Sequence, residues 1–263
     1  MRTGLILFFA LLITNLATLK AHAQTQSYTQ ANNEFDFNHD LSQQWALEFN
    51  AGQSWTTLPG HDNLLSNLGQ VYGRLWVHYA MNDKWKFSFF YAYYYNHNLP
   101  EIDQRQAPEW RSAMQAIYYI ERRRAIITTR WRIEDRHIYN IDSVYEAVDR
   151  LRGQIKIVYP FNGKVIDLHV LYGIASEEVM FKTSSKVSGP EIFDRNKFTM
   201  GVGYGLTRNT QIELTYGNEY LPRGSVSDNY NAVQINVVFN NVLPRLKKFI
   251  FGEKKVPEDS SAN

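Results

Sequence analysis

The residues best suited to chemistry lie between Glu121 and Phe161, where charged and apolar side chains alternate. Successive side chains of a β-strand point to opposite faces, so two segments here each have one charged face and one apolar face. The charged positions are Arg130, Arg132, Glu134 and Arg136 in the first segment and Arg150, Arg152 and Lys156 in the second. Because guanidinium groups bind carboxylates and other anions, these faces predict either an anion-binding surface or mutual ion pairs.

A second candidate is a polar site on other predicted strand faces. Its members are His78, Ser88, Asp167 and His169. An outer-membrane hydrolase of the phospholipase or protease type needs His within hydrogen-bond reach of Ser or Asp. The sequence has no G-x-S-x-G motif, so we assign no catalytic residue and keep the hydrolase as an alternative.

Metal and cofactor sites are not predicted. The loop histidines His61, His97 and His137 lack ligand-like spacing, and the sequence has no cysteine. No nucleotide-binding or phosphate-binding glycine motif is present, so we expect no cofactor.

The N-terminus predicts export. Arg2 precedes the apolar run Leu5 to Leu19, and Ala21-His22-Ala23 is a small-x-small cleavage pattern. Residues 1–23 are therefore a predicted signal peptide cleaved after Ala23, the alternative being a membrane anchor. Cleavage removes Arg2 and Lys20 and leaves 26 basic and 26 acidic residues, so we expect no nucleic-acid partner.

The elements that must position these side chains are strands of about ten to twelve residues. Ten segments alternate with period two from residue 44 to residue 240, joined by short turns and longer polar loops in alternation. Asn162-Gly163 predicts a tight hairpin before a strand at Val165 to Ala175, followed by a loop at Ser176 to Asp194. An all-β chain of this kind predicts a single antiparallel up-and-down transmembrane β-barrel of about ten strands, with twelve as a second option.

Flanking segments complete the predicted organisation. Residues 24–43 read as a periplasmic lead-in with room for one short extra strand. Residues 241–263 form a tail, interpreted either as a short amphipathic helix or as an extension. Both chain ends are expected on the short-turn, periplasmic side of the barrel.

The alternative to a membrane barrel is a soluble lipocalin-like ligand-binding barrel, whose apolar face points inward. The apolar faces carry many aromatic side chains, which would overfill a small interior. Near the strand ends, aromatic residues predict interfacial girdles in a bilayer; they include Trp45, Trp85, Trp110 and Tyr172. We therefore expect the charged faces to line the lumen and outer-membrane lipid to surround the barrel.

The lumen side chains lead to a specific pairing prediction. If Arg122-Arg123 is a two-residue turn, Arg111 lies opposite Glu134, and the next loop brings Arg150 beside Glu134. The predicted ladder comprises Arg111, Arg130, Arg132, Glu134, Arg136, Arg150 and Arg152. Ion pairs that fill a narrow lumen are the structural interpretation, and a ligand site is the alternative.

The arginine pattern also resembles a known family. The segments Arg130 to Arg136 and Arg150 to Pro160 are similar to repeated R-x-R-x-E-x-R strands of the domain of unknown function 2490 family (DUF2490). The resemblance implies a secreted outer-membrane β-barrel of Bacteroidota-type bacteria, and it brings no catalytic residues. The expected function is thus structural or that of a narrow channel for a small solute, and the sequence leaves the oligomeric state open.

Overall fold

A computed structural model describes residues 24–58, 62–102, 104–139, 145–223 and 226–241. The predicted signal peptide, His61 and the tail from residue 242 onward lie outside these ranges, so the statements about them stay predictions. In the described part of the chain, no helix is long and apolar enough to cross a membrane.

The described residues form eleven strands and two short 3-10 helices, Leu64–Ser66 and Pro100–Ile102. The strands are β1 (Gln24–Asp40), β2 (Trp45–Thr56), β3 (Leu68–Ala80), β4 (Trp85–Leu99), β5 (Gln104–Arg122), β6 (Ile126–Tyr139), β7 (Tyr145–Pro160), β8 (Leu171–Lys182), β9 (Phe193–Thr207), β10 (Thr210–Arg223) and β11 (Val226–Asn240).

The strands close into one up-and-down barrel, which confirms the predicted all-β architecture. Each strand is antiparallel to the next along the chain. The closing pair, β1 with β11, is parallel. In the described chain the strand number is odd, and an odd number sends the first and last strands in the same direction.

The two ends of the barrel differ in their connections. We define the turn end by the connections 41–44, 81–84, 123–125, 161–170 and 208–209, and the loop end as the opposite one, which holds Leu64–Ser66 and 183–192. β1 starts at the loop end and β11 ends at the turn end. For the described strands, the expectation that both ends lie on the short-turn side is therefore wrong, because it assumed an even strand count.

The eleventh strand is the segment that the sequence analysis assigned to a lead-in. β1 alternates polar Glu34 and Asp36 with Phe35 and Phe37, and it pairs over most of its length with β2 and β11. The Phe37 ring lies 5.2 Å from that of Phe239 on the closing strand. Residues 24–40 therefore belong to the barrel wall.

The connection between β7 and β8 differs from the predicted hairpin. Asn162 does not form a two-residue turn; its amide donates to the His169 carbonyl at 3.0 Å and accepts from the Leu171 N–H at 2.7 Å. Because this side chain links the two ends of 161–170, the connection is a ten-residue loop and not a tight hairpin. The strand predicted at Val165 to Ala175 starts at Leu171 instead.

That shift changes which side chains of β8 face the lumen. Tyr172, predicted to lie in an outer aromatic girdle, is 1% exposed inside the barrel, and its hydroxyl donates to Glu213 at 2.9 Å. On the neighbouring strand, a Cβ at Gly203 would overlap the Tyr172 ring, so glycine is needed there. Glu178 and Lys182, placed in a loop by the sequence analysis, are buried on this strand.

Candidate functional site

The barrel has its polar side chains inside and its apolar side chains outside. On β6, Ile133 is 64% exposed and Trp131 49% exposed, whereas Arg132 is 7% and Glu134 1% exposed. The same inversion holds on β5, where Met114 is 68% exposed beside buried neighbours. This is the opposite of a lipocalin-like barrel, so the soluble alternative is not favoured.

Glu134 lies at the centre of the predicted charge ladder. Its carboxylate is 2.7 Å from the Arg150 guanidinium, 3.0 Å from that of Arg152 and 3.8 Å from that of Arg111. Arg150 is directly opposite Glu134, as the loop argument predicted. Charge-assisted pairs of this kind satisfy a buried carboxylate that would otherwise be costly to desolvate.

The predicted register between β5 and β6 is wrong by two residues. Arg111 lies opposite Arg136, and Ala113 lies opposite Glu134. The turn is longer than predicted and displaces the pairing by three residues, and a register shift between Tyr119 and Glu121 reduces this displacement to two. Since the displacement is even, Arg111 still faces the lumen and reaches Glu134 diagonally.

The other ladder arginines find carboxylates that the sequence analysis did not propose. Arg136 lies 2.7 Å and Arg111 2.5 Å from the fully buried Glu109. Arg130 lies 2.5 Å from Glu178, which Arg152 also contacts at 2.8 Å.

Two further carboxylates extend this arrangement toward the loop end. Asp194 contacts Arg150 at 3.3 Å, Arg195 at 3.1 Å and Arg223 at 3.2 Å. Glu219 contacts Arg195 at 3.0 Å and also Lys197 at 2.6 Å. We call these five acids, Glu109, Glu134, Glu178, Asp194 and Glu219, with their basic partners, the carboxylate network.

Arg132 is the ladder member that the carboxylate network does not include. Its Nε and Nη2 atoms donate to the side-chain Oε1 of Gln115 at 3.1 and 2.8 Å. Its guanidinium carbon lies 5.0 Å from the Trp76 ring centroid and 5.5 Å from that of Phe90. Amide and aromatic groups therefore hold this cation in place.

The structure brings together half of the speculative polar site. His78 Nδ1 is 2.8 Å from the Ser88 hydroxyl, and its Nε2 is 3.1 Å from Glu48. Ser88 is paired on both sides, opposite His78 and Gln115 in the sheet, so its strand offers no pair of free backbone N–H groups for an oxyanion. The three groups form a hydrogen-bonded chain in the wall, and the hydrolase alternative is not favoured.

The other half of that site lies elsewhere. Asp167 and His169 are exposed in 161–170, where the Asp167 carboxylate accepts from the Leu168 N–H at 2.7 Å. His169 Nδ1 contacts the Tyr204 hydroxyl at 2.9 Å. In the described chain, neither residue contacts His78 or Ser88, and no group of three or more His, Cys, Asp or Glu side chains has the arrangement of a metal site.

Two cavities lie along the lumen. The loop-end cavity has a volume of about 220 Å³ and the turn-end cavity about 470 Å³. Both touch a shared set of side chains, which we call the waist: Glu34, Arg74, Tyr94, Arg111, Arg152 and Gln234. Arg74 and Glu34 form an ion pair of 2.5 Å at this point.

Comparison with known proteins identifies the family. The model of the family described as protein of unknown function (DUF2490) matches residues 25–231. The chain belongs to this family. The match confirms the resemblance stated from the arginine strands, and it includes β1, which begins at Gln24.

The DUF2490 chain is also similar in fold to a solved structure described as a bacterial polysaccharide outer membrane secretin. The TM-score is 0.48 at 10% identity, covering 77% of this chain and 67% of that chain. No curated protein matches the sequence.

Sequence reasoning missed the acids of this DUF2490 lumen for identifiable reasons. The alternation pattern predicts loops from His97 to Glu109 and from Ser176 to Asp194, so Glu109, Glu178 and Asp194 fell inside or at the edge of a loop. A signal was present for Glu178, since Val179 and Phe181 alternate with Met180 and Lys182 beside it. Asp194 had no period-two signal. It lies beside a register irregularity, where Asp194 and the next residue, Arg195, are both buried and the in–out alternation is lost.

Proposed function

We propose that this DUF2490 protein spans the bacterial outer membrane as a narrow β-barrel channel, exported by the signal peptide 1–23. The inverted polarity of the barrel carries the proposal. An exterior with Met114 and Ile133 more than 60% exposed is costly in water and favourable against lipid. Outer-membrane lipid is accordingly its proposed partner.

Aromatic side chains on the outer surface support the same orientation in a bilayer. Toward the turn end, Trp45 contacts Tyr79 and Trp85 contacts Tyr118, with ring centroids 4.8 and 4.9 Å apart. Toward the loop end, Tyr139 and Tyr145 lie 5.2 Å apart. Two such zones at opposite ends fit the interfacial girdles of membrane barrels.

The distribution of ion pairs supports a channel over a filled plug. Among the described residues, each ion pair between strand residues joins groups on the same strand, on adjacent strands or on strands separated by one, as Arg150 on β7 and Asp194 on β9 do. The pairs therefore run along the wall and leave the two cavities open on either side of the waist. A lumen of this width suits a small solute and is too narrow for general diffusion.

The membrane assignment is tested by fractionation of the full-length protein from a Gram-negative host. We expect it in the outer-membrane fraction, with faster gel mobility before boiling than after. A chain that remains soluble and migrates identically in both lanes contradicts the proposal.

The channel assignment is tested by planar-bilayer recording on the purified, heat-modifiable protein. We expect small, discrete conductance steps. A folded protein that gives a silent bilayer favours the second candidate, a structural or adhesive role through the loop end. The carboxylate network favours that candidate too, since it joins neighbouring strands of the wall.

A further inference from the structure

Arg132 is a buried cation that no carboxylate of the described chain contacts directly. Its side chain is 93% shielded from solvent. No carboxylate of the described chain lies within 4.0 Å of its guanidinium, whereas Arg130 and Arg152 on the same wall both contact Glu178. Burying a guanidinium that no carboxylate contacts is unfavourable, so an acceptor that reached its unused donors would stabilise it.

The donors of Arg132 are only partly used. A guanidinium has five N–H donors, and the contacts to Gln115 use one on Nε and one on Nη2. Its Nη1 donates to no described residue. Gln115, Trp76 and Phe90 hold the group so that the edge formed by Nη1 and Nη2 remains available to an acceptor.

Two more cations on the same wall share this property. Lys86 on β4 and Lys156 on β7 are partly buried in the lumen, and neither has a carboxylate of the described residues within 4.0 Å. Lys156 lies opposite Thr128, and Lys86 lies opposite Ile117, which is two positions from Gln115. We call Lys86, Arg132 and Lys156 the open basic wall.

The open basic wall faces the turn-end cavity of about 470 Å³. In the described lining of that cavity, seven Arg and Lys side chains stand against five Glu side chains. Two of those acids, Glu48 and Glu213, are engaged by His78 and Tyr172. The cavity therefore has room, unused donors and an excess of positive charge.

We propose that the open basic wall binds a small oxyanion, a carboxylate or a phosphate group, in the turn-end cavity. The planar guanidinium edge of Arg132 presents paired donors to two oxygens, and the lysines supply further charge. The inference deepens the proposed function, because it names the class of solute held in the lumen, and it rests on that lumen being open to solvent.

The test is isothermal titration calorimetry on the full-length protein folded in non-ionic detergent, at constant ionic strength in sodium chloride. Sodium phosphate and sodium acetate are the two titrants. We expect saturable binding of at least one, and the responding titrant distinguishes a phosphate-bearing from a carboxylate-bearing solute. Arg132→Gln should weaken that binding about tenfold or more, as loss of a charge-assisted hydrogen bond predicts.

Lys197→Gln is the matched control for lumen charge. It removes one cation from the loop-end cavity, while Glu219 keeps Arg195 at 3.0 Å. Equal weakening by Lys197→Gln and Arg132→Gln overturns the site, because a general charge effect then explains binding. If Arg132→Gln does not fold, Lys156→Gln replaces it, and unchanged affinity in that variant also overturns the site.

The two proposals fail separately. A membrane-inserted, heat-modifiable barrel with no saturable heat from either titrant removes the anion site and leaves the membrane assignment in place. A protein that proves soluble contradicts the membrane assignment, and the same titration without detergent still tests the open basic wall.

Discussion

The carboxylate network and the open basic wall line one lumen, yet their charges are balanced differently. In the network, Glu134 contacts three arginines and Asp194 contacts another set of three. On the open basic wall, Arg132 meets an amide and two aromatic rings. Arg130 and Arg132 lie two positions apart on the same face of β6, so the difference comes from what the neighbouring strands place beside them.

We therefore expect the carboxylate network to stabilise the barrel and the open basic wall to bind the solute. Where a charge is neutralised by its neighbours, its removal should disturb the fold; where it is left open, its removal should disturb binding. Substitutions in the two regions can therefore separate stability from ligand recognition.

The largest effect on stability is expected for Glu134→Ala. Removal of this carboxylate leaves buried Arg150 and Arg152 with one acidic partner each instead of two, and breaking a buried ion pair costs about 3–5 kcal/mol. Urea unfolding of the detergent-folded barrel, followed by gel mobility, measures it. Glu121→Ala is the control, since the Glu121 side chain is 40% exposed, pairs with Arg123 only at 3.9 Å and accepts from the Arg122 and Arg123 N–H groups; we expect a smaller change of about 1–2 kcal/mol. Equal stability of wild type and Glu134→Ala would falsify the network.

A slightly smaller effect is expected from a charge on the outer wall. Ile133→Arg places a cation near the middle of β6, where lipid contact predicts a loss of about 2–4 kcal/mol. Leu65→Arg is the control, because Leu65 is 68% exposed near the loop end and outside the strands. The same unfolding assay measures both variants. If Ile133→Arg lowers the free energy of unfolding no more than Leu65→Arg does, the outer face of β6 contacts water and not lipid.

The smallest expected difference lies within the arginines themselves. Arg152→Gln removes the contacts to Glu134 and Glu178, whereas Arg132→Gln removes none to a carboxylate. We expect Arg152→Gln to lower the free energy of unfolding by about 1–3 kcal/mol more than Arg132→Gln. Chemical unfolding of both variants in parallel measures this difference. A larger loss of stability in Arg132→Gln than in Arg152→Gln would contradict the distinction between the two regions.

Much of the barrel was predictable because period-two alternation reports the faces of a strand directly. β4 and β6 carry clean alternation, and the structure places their charged and apolar faces as expected. β8 was not predictable from the same signal, since the closure of 161–170 by Asn162 is a side-chain contact that periodicity does not encode.

The lumen contacts were predictable in part. The Glu134–Arg150 opposition followed from the position of a loop, whereas the diagonal contact of Arg111 depended on a register shift that has no sequence signature. Trp76 is an apolar residue on a polar face. The structure explains its position there, because the Arg132 guanidinium lies over its ring. Ion pairs between strands separated by one other strand, such as Arg150–Asp194, depend on the curvature of the closed barrel, which a strand-by-strand sequence pattern does not report.

The parallel closing pair has a consequence for how the barrel forms. Asp40 and Asn241 are joined by a hydrogen bond of 3.2 Å although they lie 201 positions apart in the chain. A hairpin between consecutive strands loses little chain entropy when it forms, because its loop is short. The β1–β11 seam loses more, because it joins the first and last strands of the sheet. We therefore expect the β1–β11 seam to be the last contact made during folding and the slow step of assembly.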